Sequence, residues 1–162
     1  MSKNWIADNW AQIITVGIAL YGAVMSTITF VANKKEKTRQ LEADITNGFL
    51  TYDHGLSGGM LFLTVRNKGY KTASINAPFL LLPNKSKIVF TRPQSNVTFP
   101  YKLEEGTDCQ IWIEIGDIAE MLYERGYRGE VKLQCGVNEN GGKTIYSKKL
   151  YKLNIDVWLK RA

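Results

Sequence analysis

The lone histidine, His54, sits in Asp53-His54-Gly55-Leu56-Ser57-Gly58-Gly59. An imidazole beside Ser57 and Asp53 is the residue set of nucleophilic acyl transfer, in which the ring takes a hydroxyl proton and a carboxylate orients it. That chemistry needs three groups held rigidly by separate elements, and this stretch is a glycine-rich connection, so His54 reads as an exposed turn residue. Nor do these glycines form a phosphate cradle, because no Lys-Ser/Thr follows and no helix begins there. Cys109 and Cys135 lie 26 positions apart with no second Cys or His beside either, the wrong spacing for zinc. Both fall on the apolar parity of their segments and are expected as unbonded thiols packed as small hydrophobes. Glu104 and Glu105 adjoin a turn, where carboxylates are solvated. The chain therefore reads as a non-enzyme, with no catalytic, cofactor-binding or metal site.

Two further patterns point to binding. Lys148, Lys149 and Lys152, with Lys160 and Arg161, could form a basic stripe near the C-terminus. Residues 41–162 hold 16 basic and 13 acidic side chains, however, and lysine on solvent-facing strand positions is ordinary edge protection, which argues against nucleic acid. Asn84-Lys85-Ser86 and Asn96-Val97-Thr98 fit the glycosylation pattern, which recurs by chance and is discounted. The aromatic signal is stronger. Trp112 and Trp158 occupy the polar parity of their segments, where a bare indole is costly unless a helix, a second copy or a partner covers it. Both are candidates for contact with an unknown protein partner.

The elements that must position these residues divide sharply. Asn9 to Asn33 is 25 residues without a charge, followed at once by Lys34, Lys35, Lys37 and Arg39. As a helix, Trp10 to Ala32 spans roughly 35 Å, enough to cross a bilayer with some tilt. Trp5 and Trp10 suit one interface as anchors, and the absence of any charged face argues against a soluble helix. The apolar run is too long for a cleaved signal and no small-residue cleavage site closes it. Four cations after the span against Lys3 before it place the N-terminus outside and the C-terminal domain in the cytoplasm, at the inner membrane. The same cations favour anionic headgroups at the membrane surface. Ala19, Ala23 and Thr27 repeat every four residues with Gly22 and Ser26 beside them, a small-residue face that permits homo-oligomers through the membrane helix.

Residues 1–33 thus read as tail and transmembrane helix, and 34–48 as a basic helical extension stopped at Asn47-Gly48. Residues 49–162 change to a period of two. Leu61, Leu63 and Val65 alternate with polar partners, and Ala73 to Leu81 holds one parity as a strand paired with Ile88–Thr91 across Pro83–Ser86. Cys109, Ile111, Ile113 and Ile115 form another strand, as do Val131, Leu133, Cys135 and Val137. Tyr151 to Leu159 alternates as a closing strand, and Asn138 to Gly142 reads as a hairpin turn. Asp117–Arg125 has helical spacing, with Asp117 as N-cap and Gly126 as its stop, and is expected to cross between two strands. Seven or eight short strands over this length predict an antiparallel β-sandwich.

Val65-Arg66-Asn67-Lys68-Gly69, followed by Ala73-Ser74-Ile75, resembles the V-x-N-x-G…I pattern of immunoglobulin-like sandwich domains. Leu103-Glu104-Glu105-Gly106 is similar to the L-x-x-G turn that opens a later strand in them. The layout as a whole resembles small bacterial or phage single-pass membrane proteins with a cytoplasmic immunoglobulin-like domain. The antibody arrangement of Cys…Trp…Cys is missing, since Trp112 follows Cys109 by only three residues. The resemblance implies a fold and a location and transfers no functional residue. Two functions fit: a non-enzymatic, membrane-anchored interaction module, and a phage- or mobile-element-encoded membrane protein acting in exclusion or defence through helix-mediated oligomers.

Overall fold

The uncharged stretch lies on one helix, α1 (Trp5–Glu36), in a computed structural model that describes residues 5–36, 39–53 and 55–160. The chain divides into two units between Thr38 and Arg39. In the first, Asn9–Lys34 is long and apolar enough to cross a membrane, and Trp10 to Lys34 are exposed. Its polar residues do not interrupt it. The hydroxyls of Thr15, Thr27 and Thr29 donate to the carbonyls of Ala11, Ala23 and Met25, one turn back, at 2.7, 2.8 and 2.8 Å. Each hydroxyl is thereby satisfied within the helix, as a hydrocarbon environment requires.

The expected helical extension to residue 48 is corrected by the second unit. Leu41–Gly48 is a strand, β1, despite helix formers such as Leu41, Glu42 and Ala43. The reason is tertiary: Ala43 and Ile45 point into the core, and all eight residues pair with a neighbouring strand. Burial on one face with a full ladder on one edge outweighs a propensity difference of a few tenths of a kcal/mol per residue.

There follow β2 (Thr51–Tyr52), β3 (Gly55–Leu56), β4 (Met60–Asn67), β5 (Ala73–Ile75), β6 (Phe79–Leu81), β7 (Lys87–Val89), β8 (Gln94–Ser95), β9 (Tyr101–Leu103) and β10 (Asp108–Glu114). After α2 (Ile115–Glu124) come β11 (Glu130–Asn138), β12 (Thr144–Tyr146), β13 (Tyr151–Asn154) and a single-turn helix, α3 (Ile155–Leu159). One sheet has the order β1-β4-β10-β8, the other β12-β11-β6-β7 with β13 continuing along β11. All described pairings are antiparallel. Leu61, Leu63, Val65, Cys109 and Ile111 from the first sheet share one core with Leu80, Val131, Leu133, Cys135 and Val137 from the second.

Three expected elements change shape. The run from Ala73 to Leu81 is two strands: β5 pairs with β9 and β6 with β11, so the chain changes sheets near Asn76 and burial moves to Leu80 and Leu82. The crossing helix begins at Ile115, two residues early, because Ile115, Ile118, Ala119 and Leu122 together make its buried face. Its end follows expectation at Gly126 (φ +87°), and the Arg128 guanidinium lies 3.5 Å from the Tyr123 ring centroid and donates to the Tyr123 carbonyl. The closing run is a strand only to Asn154, whose side chain accepts from the Val157 amide and starts α3. Ile155, Trp158 and Leu159 also have helical spacing, and as a helix all three turn toward the core.

The Val-Arg-Asn-Lys-Gly turn is built around Asn67, which is fully buried. Its Nδ2 donates to the carbonyls of Lys71 and Leu103 at 2.8 and 3.1 Å, and its Oδ1 accepts from the Gly69 amide at 3.0 Å. One side chain thus ties the end of β4 to the end of β9. The Leu-Glu-Glu-Gly turn closes beside it, with Gly106 at φ +70° and its amide donating to the Asn67 carbonyl.

Candidate interaction surface

Trp112 lies on the solvent face of the first sheet, opposite Phe62 of β4 on one side and Gln94 of β8 on the other. It is half-buried. β8 is only two residues long, so the segment around it leaves a groove instead of a finished sheet edge. On one side of Trp112 is a cleft of about 560 Å³, walled by Tyr52, Val89, Pro93 and the side chains of Arg92, Glu114 and Asp117. On the other is a more open groove of about 710 Å³, running along Leu50, Thr51 and Ser95–Thr98. Trp112, Tyr52, Pro93 and Gln94 form the ridge common to both. Phe49 after β1, Leu56 of β3 and Val89 of β7 are exposed by 63, 71 and 64 %. An aromatic ridge between two grooves can grip an extended chain by its side chains, and charges of both signs, Arg92 with Glu114 and Asp117, line the first cleft.

Sequence reasoning found Trp112 but missed its neighbours. Phe49, Tyr52 and Leu56 lie around the glycine-rich stretch, which reads as a turn because glycine and polar residues dominate it. The available signal was three large apolar residues in a segment with no periodicity to bury them.

Trp158 lies elsewhere. It sits on α3, half-buried, with its ring across the backbone of Gly59, where a Cβ would collide with it. α3 packs against α2, so Trp158 closes the rim of the core at the start of β4. The two tryptophans do not form one patch on a shared strand face.

The thiols of Cys109 and Cys135 are buried and unbonded. Burial pushes both up to about 12, with Asp108 adding to the effect on Cys109 and Asp44 on Cys135. At neutral pH they are protonated and poor nucleophiles or metal ligands. His54 lies outside the described residues. Ser57, its candidate partner, donates to the Gly58 carbonyl at 2.7 Å and accepts from the Leu50 amide at 2.8 Å, which commits the hydroxyl to shaping the loop. Asn84 holds its turn by accepting from the Ser86 amide, and Asn96 accepts from the Gln110 amide of β10. Glu104 and Glu105 are exposed at their turn. Among the described residues no group of three or more His, Cys, Asp or Glu is placed to hold a metal ion.

The charges after the span separate into two groups. Lys34 is exposed at the end of α1. Arg39 belongs to the β domain, where its Nη1 pairs with Glu139 Oε1 at 2.7 Å, so its charge is partly spent inside the fold. Lys37, Lys3, Arg161 and the side chains of Lys35 and Trp5 lie outside the described residues. Of the C-terminal basic residues, Lys152 pairs with Glu130 across β13 and β11, while Lys148 and Lys149 are grouped at a corner with Arg66. Along α1, Ala19, Gly22, Ala23, Ser26 and Thr27 fall on one helical face, and a Cβ on Gly22 would meet nothing in the chain.

No family model matches this chain, and no curated protein matches its sequence. Among solved structures, a chain of the archaeal flagellum of Methanospirillum hungatei strain JF1 superposes over 94 % of this chain and 93 % of its own, at 16 % identity and a TM-score of 0.40. Likeness at that level carries no argument about fold or function.

Proposed function

We propose that this protein is a non-enzymatic, single-pass membrane-anchored interaction module. The observation that carries the reading is the exposed apolar stretch Asn9–Lys34 joined to a β domain with a core of its own. An apolar helix exposed all round needs an apolar environment, and a bilayer supplies it over the whole length. Lys34, Lys35 and Lys37, with part of Arg39, follow the span and favour the domain on the cytoplasmic side of the inner membrane. Self-association through Ala19, Gly22, Ala23, Ser26 and Thr27 is compatible with that anchoring.

The tethered domain is read as an immunoglobulin-like sandwich. Its strand orders support this: β1-β4-β10-β8 corresponds to A-B-E-D, and β12-β11-β6-β7 to G-F-C-C′. The partner-binding face is the Trp112 ridge, and Trp158 lies apart from it at the rim of the core. Confinement to a membrane surface raises local concentration, so even a weak interface suffices.

Topology is tested with an impermeant maleimide. Leu150 is exposed by 51 % whereas both native thiols are buried, so Leu150→Cys provides a selective reporter. Labelling only after the inner side is opened is expected; labelling of intact cells, or release of the protein by alkaline carbonate, would overturn the reading. For the partner face, crosslinking in native membranes is compared between the wild type and Trp112→Ala. Loss of a crosslinked species is expected, and an unchanged set would remove the Trp112 ridge as the site.

A further inference from the structure

The second sheet ends in an open edge, β7, on the side where the Trp112 cleft begins. The Leu82 amide donates to the Ser86 carbonyl at 2.9 Å, which makes these two a hydrogen-bonded pair at the turn between β6 and β7. Alternation along the ladder then bonds Leu80 to Ile88 and turns the main-chain groups of Lys87 and Val89 away from β6. Solvent reaches that side: Lys87 is exposed and Val89 is 64 % exposed, whereas Ile88 between them is buried. Among the described residues β7 pairs with β6 alone. Past Val89 the chain runs on from Phe90 to Pro93, which wall the cleft beside Trp112.

The side chains at this edge set what can lie against it. Ile88 belongs to the core, so Lys87 and Val89 project from the outer face of the second sheet. Tyr146, Gly136, Phe79 and Val89 are in register there across β12, β11, β6 and β7. The Phe79 ring lies over Gly136 and meets Tyr146 edge-on, with 6.2 Å between centroids, so the row is apolar and ends uncapped at Val89. Lys87 holds its ammonium 4.6 Å from the Phe79 ring centroid and has no carboxylate partner among the described residues. A strand laid beside β7 therefore sets one residue next to apolar Val89 and another, two positions along, next to an unpaired cation.

We propose that β7 receives an extended segment of a partner protein as an added antiparallel strand, with an apolar residue beside Val89 and an acidic one beside Lys87. Antiparallel pairing lets Lys87 and Val89 each exchange both main-chain bonds with the residue opposite. So short an edge holds a strand weakly by itself, and the segment's continuation past Val89 adds the contacts of the cleft. This rests on the reading of the Trp112 ridge as a partner site and gives that partner a conformation and a charge. A second copy fits the edge less well, because pairing centred on Ile88 sets Lys87 opposite Val89 and leaves the ammonium without a counter-charge.

The test uses the full chain in phosphatidylcholine nanodiscs and two labelled, capped peptides, Thr-Leu-Thr-Val-Thr-Glu-Thr and its Glu-to-Lys counterpart. The acidic peptide is expected to bind about tenfold or more tighter and to slow hydrogen exchange at the Val89 amide, and Lys87→Glu should reverse the preference. Val89→Pro removes an amide that β6 does not use, so it should weaken the acidic peptide about tenfold while the pairing with β6 is kept. Unchanged exchange at Val89, or equal binding of the two peptides, would overturn the proposal. Binding lost in Trp112→Ala but intact in Val89→Pro would also overturn it and leave the ridge as the site; the opposite pattern would uphold the edge and remove the ridge. Exchange at Val89 slowed without peptide, in nanodiscs holding two copies but not in those holding one, would assign the edge to a second copy instead.

Discussion

Replacing Asn67 by alanine removes three hydrogen bonds at one fully buried position: two from Nδ2 to the carbonyls of Lys71 and Leu103, and one from the Gly69 amide to Oδ1. Each bond is worth about 0.5–1.5 kcal/mol net, and a buried carbonyl left without its donor adds the cost of its lost hydration. The expected loss is about 2–4 kcal/mol, which lowers a urea midpoint by roughly 1–2 M for a domain of this size. The assay is urea unfolding of the full chain in nanodiscs, followed by the fluorescence of Trp112 and Trp158. Asn67→Asp sharpens the reasoning. It keeps the acceptor for Gly69 but sets a carboxyl against two carbonyl oxygens, which favours its protonated form in the fold. A carboxyl whose folded pKa is raised destabilises progressively as pH rises above the unfolded value of about 3.9. Asn67→Asp should therefore fall well below Asn67→Ala at pH 8, with the gap narrowing at pH 5. A loss under about 0.5 kcal/mol for Asn67→Ala, or a pH-independent gap, would refute the account of this turn.

The raised thiols make a separate pH prediction. With folded values pushed from the ordinary 9.0 to about 12, their stabilisation is complete below pH 9 and is lost as pH rises toward 12. Between pH 8 and 10 the two together should account for about 2–3 kcal/mol of lost stability, absent in a Cys109→Ala, Cys135→Ala double variant measured by the same urea midpoints. Gly136→Ala should cost about 1–3 kcal/mol, because its Cβ would stand 2.5 Å from the ring of buried Phe79. Gly59→Ala should cost less and redden the tryptophan emission, since the colliding Trp158 ring can swing outward from α3. In the membrane, Gly22→Leu should reduce helix self-association measured by energy transfer. Gly17→Leu, about 140° around the helix from Gly22, should not.

Much of the domain was legible because it follows from period alone. Leu61-Leu63-Val65, Val131-Leu133-Cys135-Val137 and the Asn-Glu-Asn-Gly-Gly hairpin alternate as strands and pair as strands. The uncharged helix was equally plain, since composition and length decide it without reference to any neighbour. Segments with two compatible periods were not legible. Leu41–Gly48 has helix-forming residues and an alternating apolar set, while Ile155–Leu159 has an alternating pattern and a helical one. In both, the choice fell to what stood alongside: β4 offered a ladder to the first, and α2 a packing face to the second.

Local chemistry along the chain thus determined the apolar helix, its flanking charge, the antiparallel character of the domain, and the burial of both cysteines. Only the tertiary structure decided which surface each polar-parity residue meets. Trp112 ended on a ridge between two grooves because β8 is too short to cover it, and Trp158 lies over Gly59 because the last turn became a helix. Lys148 and Lys149 came to lie beside β1 because buried Ser147 pins their corner, a contact made across more than 100 residues of sequence. Periodicity reports which side of an element is apolar; it holds no record of what lies opposite.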